Sequence, residues 1–156
     1  MKRMLLLNGP NLNLLGSREP GVYGQNTLAD IEHDVEQTLE KYGWEFDAFQ
    51  SNHEGDLIDA IHEARHEATG IIFNPGAYTH TSIALRDAIA SIDVPVIEVH
   101  ISNVHKRESF RHTSMISPVT WGQIVGMGTI GYKLAAQAFI DHFREENEDG
   151  ETNETT

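Results

Sequence analysis

Short apolar runs and amphipathic stretches of helical spacing take turns along almost the whole chain. That rhythm belongs to a mainly parallel sheet with helices on both faces. Met4 to Asn8 reads as a buried strand, and Leu28, Ile31, Val35 and Leu39 recur at helical spacing behind Asn26 and Thr27 as candidate caps. Gly43 ends that helix; Trp44 to Ser51 alternates as a second strand, and Leu57, Ile58, Ile61, Ala64 and Ala68 mark a second helix closed by Gly70. Ile71 to Asn74, Pro95 to Val99 and the weaker Gln123 to Val125 supply three more strands. Helices are expected over Ser82 to Ser91 and over Thr129 to Phe143. The expected architecture is α/β, a flavodoxin-like three-layer sandwich with a five-stranded parallel sheet in the order 2-1-3-4-5. Residues 1–143 form its single domain.

The remaining segment, 144–156, holds six acids, one base and no large apolar residue to anchor it, so composition predicts a disordered acidic tail. The body is acidic in its own right, with 18 acids against 10 bases in residues 1–143. A whole-chain net charge of −13 repels a phosphate backbone or an anionic bilayer, and there is no basic patch to reverse this. With no cysteine, disulfides, thiolate metal sites and a cysteine nucleophile are excluded. Met4 to Leu7 is far too short an apolar run for a signal core or a membrane span, so the expectation is a soluble, cytoplasmic protein.

Two patterns mislead. His62-Glu63-Ala64-Arg65-His66 spells a zinc-protease motif. At about 100° per residue, however, the two histidines fall about 120° to 160° from the apolar azimuth of their helix, facing water, with no third ligand in a cleft. Gly126-Met127-Gly128-Thr129-Ile130-Gly131 spells a dinucleotide fingerprint in a strand-to-helix context. The fingerprint needs a later strand ending in a ribose-binding acid, and here the chain passes into its polar end; a tight turn and close helix-to-sheet packing account for the glycines. No metal and no cofactor are expected.

In an open α/β sheet a ligand sits beyond the carboxyl ends of the strands, where strand order reverses. Strand one ends in Asn8-Gly9-Pro10-Asn11, strand three in Asn74-Pro75-Gly76-Ala77-Tyr78-Thr79-His80, and strand four in Glu98-Val99-His100-Ile101-Ser102-Asn103. Turn chemistry explains each taken singly, but their convergence beside two long loops, Gly9 to Gln25 and Ile101 to Gly122, points to a pocket. Asn8 and Asn74 stand where a phosphoacceptor regulator needs acids. Leu12 to Leu15 lacks the hydroxyls of a flavin phosphate loop. No lysine stands at these ends to form an imine.

These residues resemble the type II 3-dehydroquinate dehydratases. The resemblance is carried by Asn8-Gly9-Pro10-Asn11-Leu12, Arg18-Glu19-Pro20 with Tyr23-Gly24, Gln50-Ser51-Asn52, and the run from Asn74 to Ser82. It continues through Arg86-Asp87-Ala88, the run from Glu98 to Asn103 and Phe110-Arg111-His112, and so spans about the whole folded chain.

The resemblance implies trans elimination of water from 3-dehydroquinate through an enolate, in the shikimate or quinate pathway. Tyr23 matches the family's base and Arg18 the arginine that activates it; a phenol near pKa 10 needs such a cation to act at neutral pH. His100 matches the general acid. Glu98, two residues earlier on a strand and so on the same face, can orient the imidazole. Asn11 matches the residue that holds a water against the enolate oxygen. Asn74, His80, Asp87, Ile101, Ser102 and Arg111 match substrate-binding positions, Ile101 and Ser102 through backbone amides and Asp87 in a neighbouring subunit's site. The implied assembly is a homo-oligomer, a dodecamer built of trimers.

Overall fold

A computed structural model of the chain describes residues 1–17 and 26–154, with side chains as far as residue 144. Five strands, β1 (Arg3–Asn8), β2 (Glu45–Gln50), β3 (Gly70–Asn74), β4 (Val96–His100) and β5 (Gly122–Val125), form one parallel sheet in the order β2-β1-β3-β4-β5. The α-helices among the described residues are α1 (Leu28–Glu40), α2 (Glu54–Glu67), α3 (Ile83–Ala90) and α4 (Ile130–Glu154). This is the expected flavodoxin-like sandwich, its element boundaries within a few residues of those read from the sequence except at the two ends noted below.

Strand alternation sends side chains to opposite faces and so builds two cores. Met4, Leu6, Ile72, Ile97 and Val99 point to the face covered by α1 and α4, where Val35, Leu39, Tyr132 and Phe139 are buried. Leu7, Ile71, Phe73 and Val96 point to the face covered by α2 and α3, against Leu57, Ile61, Leu85 and Ile89. Each of these fully buried aliphatic or aromatic side chains stabilises the fold by roughly 1.5–3 kcal/mol relative to exposure. Thr27 starts α1 as a capping box: its hydroxyl accepts from Asp30 N at 3.2 Å and its own N–H donates to the Asp30 carboxylate at 3.0 Å. Ser82 caps α3, accepting from Leu85 N at 2.9 Å.

The register aligns the strand ends that matter. Asn8 lies opposite Asn74, Phe73 opposite Glu98, and His100 opposite Val125. The order reverses between β1 and β3, where Gly9 N donates to Asn74 O at 2.8 Å. A Cβ on Gly9 would stand 2.3 Å from the Pro75 carbonyl oxygen, so only glycine lets the two turns close on each other.

Two helices run beyond the apolar residues that mark them in the sequence. α2 begins at Glu54, before its first apolar residue, because Glu54 and Asp56 in its first turn suit the positive end of the helix dipole. α4 runs on to Glu154, past Phe143. Once a helix is nucleated on the core, each added residue gains a backbone hydrogen bond.

The zinc-protease pattern lies on α2 with His66 exposed and His62 half-buried, while Leu57, Ile61 and Ala64 are buried. In the glycine pattern Gly126 and Gly128 have φ of +85° and +66°, and a Cβ on Gly131 would meet Val99 and Ile124 at 3.4 Å. Both glycine roles are turn and packing roles. No helix among the described residues is long and apolar enough to cross a membrane.

Candidate active site

Beyond the carboxyl ends of β1, β3 and β4 lies a cavity of about 210 Å³. The turn after β1 contributes Asn11 and Leu15, the turn after β3 Asn74, Gly76 and His80, and the loop after β4 His100, Ile101, Ser102, Arg107 and Arg111. Among the described residues no acid lines it. A more open groove of about 390 Å³ lies between α2 and the β1–β2 edge, but Asp47, Asp56, Asp59, Glu63 and Glu67 around Arg3 give it the wrong sign for an anion.

Asn11 adopts φ 70°, a left-handed conformation that asparagine tolerates better than most residues. Its N–H donates to Asn52 Oδ1 at 3.0 Å, and Gln50 Nε2 braces the same turn by donating to Gly9 O at 3.2 Å. The Gln50-Ser51-Asn52 segment thus acts as a strut behind the β1 turn. Asn74 is held from the opposite layer: its Nδ2 donates to Tyr132 Oη at 2.8 Å, and Tyr132 Oη donates to Asn8 Oδ1 at 2.7 Å. Its Oδ1 accepts from Gly76 N at 3.0 Å. One Asn74 amide hydrogen remains beyond these bonds. Burial raises the Tyr132 phenol well above its ordinary value, so this ring keeps its proton and takes no part in base chemistry.

His100 is buried at the end of β4, its Nε2 2.5 Å from Glu98 Oε2. Glu98 is completely buried on the same face of the strand. Burial is the largest influence on its carboxyl and opposes the charge, but His100, by hydrogen bond and by Coulomb attraction, outweighs burial together with the Thr79 and Ser114 hydroxyls. The net effect holds Glu98 below the usual carboxylate range. An ionised carboxylate only accepts, so His100 Nε2 carries the hydrogen and donates. Nδ1 then bears a proton only when the ring is an imidazolium.

His80 lies nearly parallel to His100, with ring centroids 6.4 Å apart. Its Nδ1 donates to Thr113 O at 2.8 Å, leaving Nε2 as the nitrogen without a hydrogen in the neutral ring. Burial lowers its pKa, and the charges of His100 and Arg111 push the same way. Arg111 is turned by Glu108, which accepts from its Nε at 2.7 Å. Arg107 Nη1 donates to Ser102 Oγ at 3.3 Å.

The structure therefore brings together Asn11, Asn74, His80, His100, Ile101, Ser102 and Arg111, with Glu98 directly behind His100. Asp87 stands apart, exposed on α3 and outside the cavity wall of its own chain. Arg18 and Tyr23 lie outside the described residues. Arg107 and the hydroxyls of Thr79 and Ser114 belong to this constellation without having been singled out from sequence. Thr79 sits inside the Asn74 to Ser82 motif, and Arg107 stands four residues before Arg111, whereas Ser114 carries no local signal.

The model of the family "Dehydroquinase class II" matches residues 2–140. The chain belongs to the class II dehydroquinase family. Among the relatives of this dehydroquinase chain, a 3-dehydroquinate dehydratase of Halalkalibacterium halodurans is 60% identical over 141 residues, covering 90% of this chain and 97% of that protein. A 3-dehydroquinate dehydratase of Bacillus pumilus is 61% identical over 140 residues, covering 90% and 95%. The crystal structure of a type II dehydroquinase from Butyrivibrio crossotus superposes with a TM-score of 0.86 at 47% identity, covering 88% of this dehydroquinase chain and 97% of that one.

Proposed function

We propose that this chain dehydrates 3-dehydroquinate to 3-dehydroshikimate as a hydro-lyase of the shikimate or quinate pathway. The observation that carries the reading is a cavity of about 210 Å³, without an acid among its described lining residues, whose wall holds both Arg111 and His100, the latter backed by buried Glu98. Both likeness to named 3-dehydroquinate dehydratases and membership of the family support it.

In this reading Tyr23, its phenolate favoured by Arg18, takes the proton from the carbon beside the ketone. The electron pair moves to the carbonyl oxygen, where a water held by Asn11 stabilises the enolate as charge forms. Collapse of the enolate expels the hydroxyl on the far side of the new double bond. His100 gives that hydroxyl its proton, so water leaves and the ketone returns with no net redox change. Asn74 and His80 hold ring hydroxyls, the backbone amides of Ile101 and Ser102 hold the carboxylate, and Arg111 supplies the compensating charge. Glu98 positions His100 without touching substrate.

The same reading makes the assembly a homo-oligomer, a dodecamer of trimers, with Asp87 serving a neighbour's site. Exposed Ile83 lies one helical turn before Asp87 on α3, and exposed Phe110 adjoins Arg111, which gives such a contact an apolar component. A cytoplasmic location follows from the same reading. Adding 3-dehydroquinate to the pure protein without any cofactor should raise the ultraviolet absorbance of the conjugated enone. A flat trace from correctly folded protein overturns the reading.

A further inference from the structure

Glu98 is the one fully buried carboxylate of the described core, and its donors are not equivalent. Its Oε2 accepts from His100 Nε2 and Thr79 Oγ1, both at 2.5 Å, and from Ser114 Oγ at 2.9 Å; Ser114 Oγ also reaches Oε1 at 3.0 Å. What fixes the direction of the Ser114 hydroxyl is behind it. Ile116 N and Ser117 N donate into Ser114 Oγ at 3.3 and 3.1 Å. A hydroxyl has two lone pairs and one hydrogen, so with both lone pairs turned to amides Ser114 cannot accept from Thr79, and its own hydrogen is left for the side where both Glu98 oxygens lie within 3.0 Å. Thr79 and Ser114, whose oxygens are 3.0 Å apart, therefore both donate to Glu98.

We propose that Ser114 and Thr79 are positioning residues for the acid step: by donating to Glu98 from a backbone-fixed direction they keep it an ionised acceptor for His100 Nε2–H, so that in the imidazolium the proton given to the substrate is the one on Nδ1. The 3₁₀ turn Ser117–Val119 and the residue before it thus reach the chemistry through one hydroxyl. This rests on the reading of His100 as the acid, and the test separates the two.

The charged and titratable groups around Glu98 are few. His100 shares its strand, His80 faces it from the turn after β3 with Arg111 beyond, and His105 and His112 border a cavity of about 70 Å³ that Thr79 and Ser114 also line. The flanking strands present Phe73 and Gln123 beside Glu98, neither of which titrates.

Ser114→Ala and Thr79→Val should each lower kcat at least tenfold with KM within about twofold, and should move the acid limb of the kcat profile to higher pH. Without substrate, the carboxyl carbon signal of Glu98 should titrate at a midpoint raised by about half a unit or more, a threefold change in proton affinity. Thr79→Ser, which keeps the hydroxyl, should restore both readouts. An unchanged Glu98 midpoint in both folded variants, or a loss that Thr79→Ser does not restore, overturns the proposal. If the wild-type protein is inactive the acid role of His100 fails, while the carboxyl titration still decides whether the two hydroxyls govern Glu98.

Discussion

Gly9 and Pro75 touch backbone to backbone where the sheet changes direction, with 2.3 Å between the position of an added Cβ and the Pro75 carbonyl oxygen. The β1 and β3 turns are thereby fastened to each other just beneath the cavity. Gly9→Ala must part them, and overpacking of this kind costs about 1–3 kcal/mol. A fall in Tm with a parallel loss of activity is expected; thermal unfolding coincident with wild type would show that the turns separate freely.

The acid role of His100 predicts that His100→Ala reduces kcat by roughly 10² to 10⁴, the usual range for removing a general acid, with a much smaller effect on KM. Steady-state kinetics with 3-dehydroquinate check this. A variant retaining more than a tenth of wild-type kcat contradicts the role.

Tyr23→Phe removes the proposed base and keeps the ring. Turnover should disappear while calorimetry still detects 3-dehydroquinate binding within severalfold of wild-type affinity. Measurable turnover near the wild-type rate contradicts the assignment of Tyr23.

The depressed pKa of Glu98 makes a prediction about acid stability. Its folded value lies below the ordinary 4.5, so folding favours the ionised form. Its contribution is present in full above the unfolded value and is lost as pH falls through the folded one. The difference in unfolding free energy between wild type and Glu98→Gln should therefore be level above about pH 5.5 and shrink below it. A difference that grows towards acid reverses the sign and refutes the argument.

Tyr132→Phe strips the hydroxyl that Asn74 donates to and that itself donates to Asn8. Two buried amide atoms then lack partners, at a cost of about 1–3 kcal/mol. Denaturant unfolding should show that loss. KM should rise as well, because Asn74 is no longer aimed from the α4 side.

Much of this molecule is legible in its sequence, and for identifiable reasons. β3 and β4 are apolar through their length because both faces are covered, and Thr27 with Asp30 announces α1 by a local chemical rule. The cavity was foreseeable because three polar strand ends must converge in a parallel sheet. Ser114 was not, since its meaning depends on Glu98 sixteen residues away and on two amides of a loop without periodicity. Nor does composition show that α4 carries on to Glu154, because helix continuation is a property of the backbone rather than of apolar spacing. Asp87 shows the reverse case: only the resemblance proposes it for a site, and a single chain leaves it exposed on α3.

Gly126 has a wider meaning than its turn. A Cβ there would come within 3.0 Å of Asn103, so the exit of β5 and the loop that follows His100 share a wall one hydrogen atom thick. The amides that a pyrophosphate would need are already engaged on that side, since Gly126 N and Gly128 N donate to His100 O and Ile101 O, both at 3.0 Å. The glycine spacing that resembles an opportunity for a new ligand is, in three dimensions, the barrier against one.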